Sequence, residues 1–349
     1  MEVKIGKHTL GSGNPTFIVA EMSGNHGGSL ERAIDIVRAA KRVGADAVKL
    51  QTYKADTITL DCNSEDFLLP TESPWADSET LWKLYDEAHT PWEWHEEIVA
   101  EARKLDLEIF SSAFDETAVD FLEDLDVSAF KIASPEITHI PLLKKVAKTG
   151  KPVIVSSGIA ELVDIELALD TLRSSGARDI ILLKCTSSYP APPEESNLIT
   201  ITDMMSRFEV LSGLSDHTMG TAAAIASVAL GGCFIEKHFN LDDEKETVDS
   251  FFSSGEVEFG NMVRDVRLVE KSLGKQSYEI TKSALPNVRG RRSLYVSASM
   301  KAGELFTDLN IKSVRPSFGL HPKYFDDVVG RAAKCDLEMG QRLSWDLIE

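Results

Sequence analysis

Short apolar runs alternate with amphipathic segments along most of the chain. Apolar residues recur at helical spacing in Leu30–Val43, Pro91–Leu105 and Ile140–Lys148. Eight compact runs instead have the character of buried strands: Thr16–Met22, Ala47–Tyr53, Glu108–Ser112, Ala129–Ala133, Pro152–Ser156, Ile180–Lys184, Glu209–Ser215 and Cys233–His238. Because these runs do not alternate in polarity, they predict a parallel sheet covered by helices. Eight strand–helix units within roughly 240 residues predict a closed (β/α)8 TIM barrel.

The pattern changes after Ser283. The segment Ala284–Thr307 reads as a basic stretch followed by short alternating strands and turns. The residues that remain are too few for another barrel half, and they predict a small β-rich domain of about 65 residues. We therefore predict an α/β fold in which residues 1–278 form the barrel, residues 279–290 a linker and residues 291–349 the small domain.

The composition narrows the class of protein. A formal net charge of −19 argues against binding to nucleic acid or to an anionic membrane surface, so a phosphate site would need local cations. The four cysteines are scattered without C-x-x-C spacing, which predicts reduced thiols in a cytoplasmic enzyme. We expect no signal peptide, and we interpret the uncharged stretch Thr218–Ile235 as a buried helix leading into a strand rather than a membrane span.

Polar side chains stand at the ends of the predicted strands. The C-terminal ends of barrel strands are where active sites form in this fold. A single serine there is usually a helix cap, whereas a lysine within an apolar strand needs an anionic partner. The candidate residues at these ends are Glu21, Lys49, Gln51, Ser112, Lys131, Ser134, Glu136, Ser156, Ser187, Tyr189 and Ser215. Lys49 and Lys131 together with the serines predict a cradle for an oxyanion or a phosphate.

Two histidines end neighbouring strands of the predicted barrel. His217 and His238 follow the seventh and eighth strands, and two imidazoles placed so can bind one divalent ion, with carboxylate or water completing the shell. Glu21 on the first strand lies beside the eighth once the barrel closes, so it could bind the ion or a sugar hydroxyl. The alternative is that both histidines are hydrogen-bonded loop anchors, and spacing alone does not separate the two interpretations.

Six segments in this order resemble the sialic acid synthase family of phosphoenolpyruvate-dependent synthases. They are Glu21–His26, Lys49–Tyr53, Lys131–Ser134 with Glu136, Leu183–Pro193, Gly213–Thr218 and Glu236–Phe239. The resemblance covers almost the whole chain. The small domain, residues 291–349 with the Arg315-Pro316 stretch, is similar to that family's antifreeze-like (SAF) domain. The chain departs from the expected pattern at Pro135 and Ala113, neither of which removes a candidate side chain.

Within the family, Thr90–His95 and the segment after the eighth strand resemble the pseudaminic acid synthases. Asp249 is followed there by Ser250, Phe251 and Phe252. Aromatic and small side chains suit the methyl groups of a 6-deoxy sugar that carries two acetamido groups. The resemblance therefore implies condensation of phosphoenolpyruvate with 2,4-diacetamido-2,4,6-trideoxy-L-altrose.

The resemblance also implies roles for single residues. A set of side chains would hold the phosphate and carboxylate of phosphoenolpyruvate: Lys131, Ser134, Ser156, Ser187, Ser215 and Ser112. Lys49 would neutralise the remaining charge, Glu136 would handle the attacking water and Glu21 would contact the sugar.

Further implied contacts complete the expected site. Gln51, Tyr189 and Asp249 would bind the sugar, and His217 with His238 would hold Mn²⁺, Mg²⁺ or Co²⁺. Arg315 would bind the sugar's acyl group in the active site of a partner subunit. This last role implies a domain-swapped homodimer.

Other functions stay open at this point. Within the same reaction type, the alternative is an N-acetylneuraminate or legionaminate synthase that uses N-acetylmannosamine or its 2,4-diacetamido-6-deoxy analogue. A second enzyme class is an aldolase or lyase that forms a Schiff base at Lys131 or Lys49. A sugar-binding module derived from the barrel is a non-enzymatic alternative, although such a module need not retain both lysines and the histidine pair.

Overall fold

The computed structural model describes residues 1–243 and 245–349, which divide into two compact units. The first unit comprises Met1–Gly274 and the second Lys275–Glu349. The segment predicted as a linker, residues 279–290, falls within the second unit, where Leu285–Gly290 forms a 3-10 turn.

The first unit is a closed barrel of eight parallel strands, as predicted. An antiparallel hairpin, β1 (Glu2–Ile5) and β2 (His8–Gly11), precedes it and was not predicted because each of its strands is only four residues long. The barrel strands are β3 (Phe17–Glu21), β4 (Ala47–Thr52), β5 (Glu108–Ala113), β6 (Phe130–Ile132), β7 (Val153–Ser156), β8 (Ile180–Cys185), β9 (Leu211–Asp216) and β10 (Phe234–His238).

Helices connect the strands of the barrel. They are α1 (Leu30–Val43), α2 (Ala55–Ile58), α3 (Leu81–Ala88), α4 (His95–Lys104), α5 (Glu116–Asp124), α6 (Ile140–Lys148), α7 (Leu162–Ser174), α8 (Thr200–Phe208), α9 (Ala222–Ala229) and α10 (Glu256–Leu273). The helix α1 begins where the Ser29 hydroxyl accepts a hydrogen bond from the Arg32 amide, and it ends at Gly44, whose φ of 85° favours glycine. Both bounds therefore follow from local sequence.

The predicted helix Pro91–Leu105 is divided in the structure. Its first turn is a 3-10 turn, Trp92–Trp94, and α4 follows it. The stretch Thr218–Ile235 contains a helix, α9, and the start of β10, as expected, but α9 is only partly buried, through Ala223, Ala224, Ser227 and Val228. Within residues 1–243 and 245–349, no helix has both the length and the apolar character required to cross a membrane.

The interior of the barrel changes character along the strands. Alternation puts Phe17, Val19 and Glu21 on one face of β3, and Phe234 with Glu236 on one face of β10. Near the N-terminal ends, the Phe17 and Phe234 rings pack with centroids 5.6 Å apart. Charged side chains occupy the opposite end of both strands. The apolar floor therefore supports a polar layer at the C-terminal ends.

The second unit is built around a small antiparallel ladder. Its strands are β11 (Ser293–Val296) and β12 (Ile311–Val314), and a short helix, α11 (Phe325–Val328), follows them. One cluster of buried apolar side chains forms its core: Leu294, Val296, Met300, Phe306, Ile311, Val328, Ala333, Leu337, Leu343 and Ile348. A β-rich domain was predicted here, and the structure confirms it.

Candidate active site

A cavity opens among the C-terminal ends of the barrel strands. Every barrel strand, or the loop that follows it, contributes to the lining. Most of the predicted site residues are there: Glu21, Lys49, Gln51, Ser112, Lys131, Ser134, Ser156, Ser187, Tyr189, Ser215, His217 and His238. The lining also includes Ala133, Pro135, Cys185 and Glu236, which the sequence had not singled out as site residues. Three predicted residues lie outside the lining: Glu136, Asp249 and Arg315.

The two buried lysines find their partners in two buried carboxylates. Lys49 Nζ lies 2.8 Å from Glu21 Oε2 and 3.5 Å from Glu236 Oε1. Lys131 Nζ lies 3.1 Å from the same Glu236 oxygen, which also accepts a hydrogen bond of 3.2 Å from the Ser215 hydroxyl. Glu236 was missed although it shares the inward face of β10 with His238. The period of two along a strand could have identified it.

The cluster shifts the pKa values of its members in opposite directions. Burial raises the pKa of Glu21, and Lys49 only partly opposes that change. Burial would also raise the pKa of Glu236, but the ammonium groups of Lys131 and Lys49 outweigh it and hold that pKa well below its usual range. Burial lowers the pKa of Lys131 in spite of its contact with Glu236. The cluster therefore joins a firmly ionised carboxylate to a lysine that gives up its proton more readily than usual.

A glycine brings the loop after β7 close to the serines of the cavity. A Cβ built on Gly158 would lie 2.1 Å from Ser187 Oγ and 3.0 Å from Ser134 Oγ. The Ser134 hydroxyl accepts a hydrogen bond of 2.7 Å from the Ile159 amide. The buried Ser156 hydroxyl has no partner among the residues described. An unpaired buried hydroxyl beside Lys131 marks a place where the oxygen of an anionic ligand would be bound.

The two histidines meet at the cavity. His217 follows β9 and His238 ends β10, and their ring centroids are 5.4 Å apart. His217 Nδ1 lies 2.9 Å from the Thr186 carbonyl oxygen, so the Nδ1–H donates there and Nε2 is the nitrogen left for a ligand. Burial would lower the pKa of His217, but Cys185 and the Thr186 carbonyl raise it, so a metal that binds at Nε2 would displace a proton. Burial and the neighbouring His217 hold the pKa of His238 well below its usual range, which keeps its imidazole neutral.

The imidazoles of His217 and His238 fit a divalent ion to which the protein supplies two nitrogen ligands. His238 Nδ1 is buried and unpaired among residues 1–243 and 245–349. Within those same ranges, no cluster of three or more His, Cys, Asp and Glu side chains is arranged to hold a metal. Water and substrate would therefore have to complete the coordination shell.

Asp249 acts through a chain of hydrogen bonds rather than at the cavity wall. It accepts from the Ser23 hydroxyl at 2.5 Å and from the Gly24 amide at 3.2 Å. The Gln51 amide donates to Ser23 Oγ and to Glu21 Oε1, at 2.9 Å in both cases. Asp249 thus fixes the loop after β3 and, through Ser23, the orientation of Gln51.

Glu136 lies in the 3-10 turn Ser134–Thr138, just behind the lining residue Pro135. Burial raises its pKa to about 7, and its Oε2 atom is unpaired among the residues described. A carboxyl group with this pKa can both accept and release a proton near neutral pH.

Arg315 belongs to the second unit, where it directly follows β12. With Arg289, Gly290, Pro316 and Phe318 it lines a cavity of that unit. The two guanidinium groups make this cavity suited to a carbonyl or an anion.

Comparison with known proteins places these features in a family. The NeuB family model matches residues 36–278, and the SAF domain model matches residues 291–349. The chain is 44% identical over 327 residues to the pseudaminic acid synthase of Campylobacter jejuni, covering 94% of this chain and 95% of that protein. It is 34% identical over 345 residues to the N,N'-diacetyllegionaminic acid synthase of Legionella pneumophila, covering 97% and 96%.

A solved structure shares the architecture of the whole chain. The spore coat polysaccharide biosynthesis protein SpsE of Bacillus subtilis aligns with a TM-score of 0.68 and 33% identity, covering 100% of this chain and 99% of that one. The family resemblance seen in the sequence motifs is therefore confirmed. The chain belongs to the NeuB family and carries a SAF domain after its barrel.

Proposed function

We propose that this chain is a pseudaminic acid synthase, which joins phosphoenolpyruvate, water and 2,4-diacetamido-2,4,6-trideoxy-L-altrose to form pseudaminic acid and phosphate. The observation that carries the proposal is the single cavity in which a lysine–serine cradle faces a histidine pair. An anion and a sugar aldehyde can bind side by side in such a cavity. The 44% identity to the Campylobacter jejuni synthase supports the choice of sugar.

The cradle would bind phosphoenolpyruvate. Lys131 supplies the charge, and the donors around it are the hydroxyl groups of Ser112, Ser134, Ser156, Ser187 and Ser215. Lys49 neutralises the carboxylate end. Glu236 holds both ammonium groups in the cavity, so their N–H donors are in place before substrate arrives. These short-range donors are needed because the net charge of −19 repels a trianion at a distance.

His217 and His238 would hold the divalent ion. We propose Mn²⁺, Mg²⁺ or Co²⁺, among which cellular availability and coordination geometry decide rather than intrinsic affinity. When bound, the ion would act as a Lewis acid on the sugar aldehyde. The neutral imidazole of His238 and the Nδ1–H···O bond of His217 are what the chain contributes to this site.

The remaining steps are assigned to carboxylates. C3 of phosphoenolpyruvate attacks the aldehyde carbon, whose oxygen takes up a proton to become a hydroxyl, and C2 becomes electrophilic. Glu136 takes a proton from the water that adds to C2. The hemiketal phosphate then releases phosphate by cleavage of its C–O bond, while the new C2 hydroxyl loses its proton to form the ketone. The pKa of about 7 lets Glu136 accept the proton of the water and pass it to the departing phosphate, which leaves Glu136 ionised for the next turnover. Glu21 would orient a sugar hydroxyl, with Gln51, Tyr189 and Asp249 as further groups that bind or position the sugar.

We further propose that the enzyme acts as a homodimer in which Arg315 of one copy binds the acyl group of the sugar in its partner's site. An exposed apolar patch on and before α7 supports a second copy as occupant. Ile159, Leu162, Val163 and Leu167 expose between 47% and 64% of their surface, which is unusual for four neighbouring apolar side chains. Sedimentation should give a dimer, and Leu167→Glu should shift it towards the monomer.

We place the enzyme in the cytoplasm. Each of the four cysteines, all of which the structure describes, is a free thiol. Free thiols suit a reducing compartment.

The test is phosphate release from phosphoenolpyruvate in the presence of Mn²⁺. The sugars to compare are 2,4-diacetamido-2,4,6-trideoxy-L-altrose and N-acetylmannosamine. Turnover with the altrose derivative alone supports the proposal. Turnover with N-acetylmannosamine alone would show that the proposed sugar is wrong and would leave the proposed mechanism unchanged. Lys131→Met should abolish release, whereas Lys184→Met, at a strand end outside the lining, should leave it intact.

A further inference from the structure

Trp75 packs against the cavity residue Tyr189 and is held there by a residue from a distant loop. It lies between α2 and α3, and its indole Nε1 donates a hydrogen bond of 2.9 Å to the Val248 carbonyl. Its ring centroid is 5.5 Å from that of Tyr189 and 6.0 Å from that of Phe251. No motif in the sequence pointed to this residue. Its single polar atom is occupied, so the ring offers its apolar face.

The aromatic rings continue from Trp75 inward to the histidine pair. Phe251 packs against Phe252 at 4.9 Å, and Phe252 packs against His238 at 4.6 Å. Tyr189 packs against His217 at 4.5 Å and against Phe252 at 5.1 Å. We name Trp75, Tyr189, Phe251 and Phe252 the aromatic wall. Three separate loops contribute to it.

The outer end of the aromatic wall is accessible. Phe251 exposes 44% of its surface, and Trp75 is half-buried. Phe252, by contrast, is covered, with 3% exposure. One ring separates each accessible ring from the histidine pair, Tyr189 in the case of Trp75 and Phe252 in the case of Phe251. The accessible rings are therefore positioned to meet the substituents of a sugar whose aldehyde binds beside that pair.

We propose that Trp75 is a specificity-determining residue that, as the outer part of the aromatic wall, binds the methyl groups of the amino sugar. The ligand class is a sugar bearing acetamido methyls and a deoxy carbon, and the inference rests on the proposed function. Aromatic faces bind methyl and C–H groups well, whereas a hydroxymethyl group buried against them would lose its hydrogen bonds to water. Trp75 and Phe251 thus disfavour a sugar whose hydroxyl group would lie against them, because neither ring face can replace that group's hydrogen bonds to water.

The experiment compares Trp75→Ala and Trp75→Phe with the unmodified chain. Steady-state rates are measured with phosphoenolpyruvate and each of two sugars, 2,4-diacetamido-2,4,6-trideoxy-L-altrose and N-acetylmannosamine. We expect Trp75→Ala to raise the KM for the altrose derivative about tenfold and to leave the KM for phosphoenolpyruvate unchanged. Trp75→Phe keeps a ring and should recover most of the loss. Trp82→Ala, a tryptophan that lines a different cavity, is the matched control and should behave as the unmodified chain.

The preference between sugars separates this role from a structural one. If Trp75 only anchored its loop, Trp75→Ala would change kcat, or would change the KM for phosphoenolpyruvate and the KM for the sugar together. If Trp75 determines specificity, Trp75→Ala should bring the kcat/KM values for the two sugars closer together. An unchanged ratio in Trp75→Ala, or an equal rise in the KM for phosphoenolpyruvate, overturns the proposal. If the unmodified chain uses only N-acetylmannosamine, the proposed function fails. In that case, the KM of Trp75→Ala for N-acetylmannosamine still tests the contact. A selective rise would support contact between Trp75 and the acetamido methyl of that sugar, and an unchanged KM would exclude such contact.

Discussion

Replacing Glu236 by glutamine would leave two buried ammonium groups with one carboxylate. Glu236 Oε1 lies 3.1 Å from Lys131 Nζ and 3.5 Å from Lys49 Nζ. Lys49 would keep its contact with Glu21 at 2.8 Å, so the cost falls mainly on Lys131. Removing one partner of a buried ion pair lowers the free energy of unfolding by about 3–5 kcal/mol. The glutamine side chain keeps an amide oxygen that can still accept from Lys131, so we expect a loss of about 3 kcal/mol. That loss lowers the melting temperature of a domain of this size by roughly 6–12 °C.

Differential scanning calorimetry of the thermal unfolding of the barrel measures this change in melting temperature. The double variant Lys131→Met with Glu236→Gln removes both partners, and it should recover at least half of the loss because no uncompensated charge remains. Asp203→Asn is the control, since its carboxylate pairs with Arg207 on the surface, and it should leave the melting temperature unchanged. The reasoning would be refuted if the two substitutions lowered the melting temperature additively in the double variant. It would also be refuted if Glu236→Gln had the same melting temperature as the unmodified chain.

The pH dependence of this variant provides a second check. Burial already lowers the pKa of Lys131 in the folded chain, and loss of Glu236 lowers it further. The folded state then binds fewer protons than the unfolded state, so stability rises with pH up to the unfolded lysine pKa of about 10.4. The stability deficit of Glu236→Gln should therefore shrink as the pH rises towards that value. A constant deficit would mean that Lys131 stays ionised.

Three further predictions concern the chemistry. Gly158→Ala, whose Cβ would lie 2.1 Å from Ser187 Oγ, should raise the KM for phosphoenolpyruvate at least tenfold in steady-state assays while the circular dichroism spectrum stays the same. Glu136→Gln should lower kcat by about 10²–10⁴-fold. In the unmodified chain the rate should fall as the pH drops through about 7, and this acidic limb of the pH–rate profile should disappear in the variant. If the limb remained, it would belong to the titration of another group. Chelation with EDTA should abolish phosphate release but not folding, Mn²⁺ should restore it, and calorimetric titration of His217→Ala should detect no Mn²⁺ binding at this site.

Local signals in the sequence determined much of the architecture. The helix α1 could be bounded from Ser29 and Gly44 because a cap hydroxyl and a left-handed C-terminal glycine act within one turn. The eight strands were identified because buried parallel strands are apolar along their length. Their ends could be assigned to one face of the molecule because all strands of this barrel run in the same direction. That rule alone brought most of the predicted site residues to the cavity.

Contacts across the closed barrel could be decided only by the tertiary structure. Lys131 and Glu236 are 105 positions apart in the chain, and the ion pair between them exists because the barrel closes between β10 and β3. Trp75 reaches Val248 across 173 positions through a loop whose path no periodicity describes. The pKa of Glu136 depends on burial, which a carboxyl group in a turn does not reveal from its neighbours in sequence. Sequence periodicity fixes which face a side chain occupies, whereas partners, burial and loop paths depend on long-range packing.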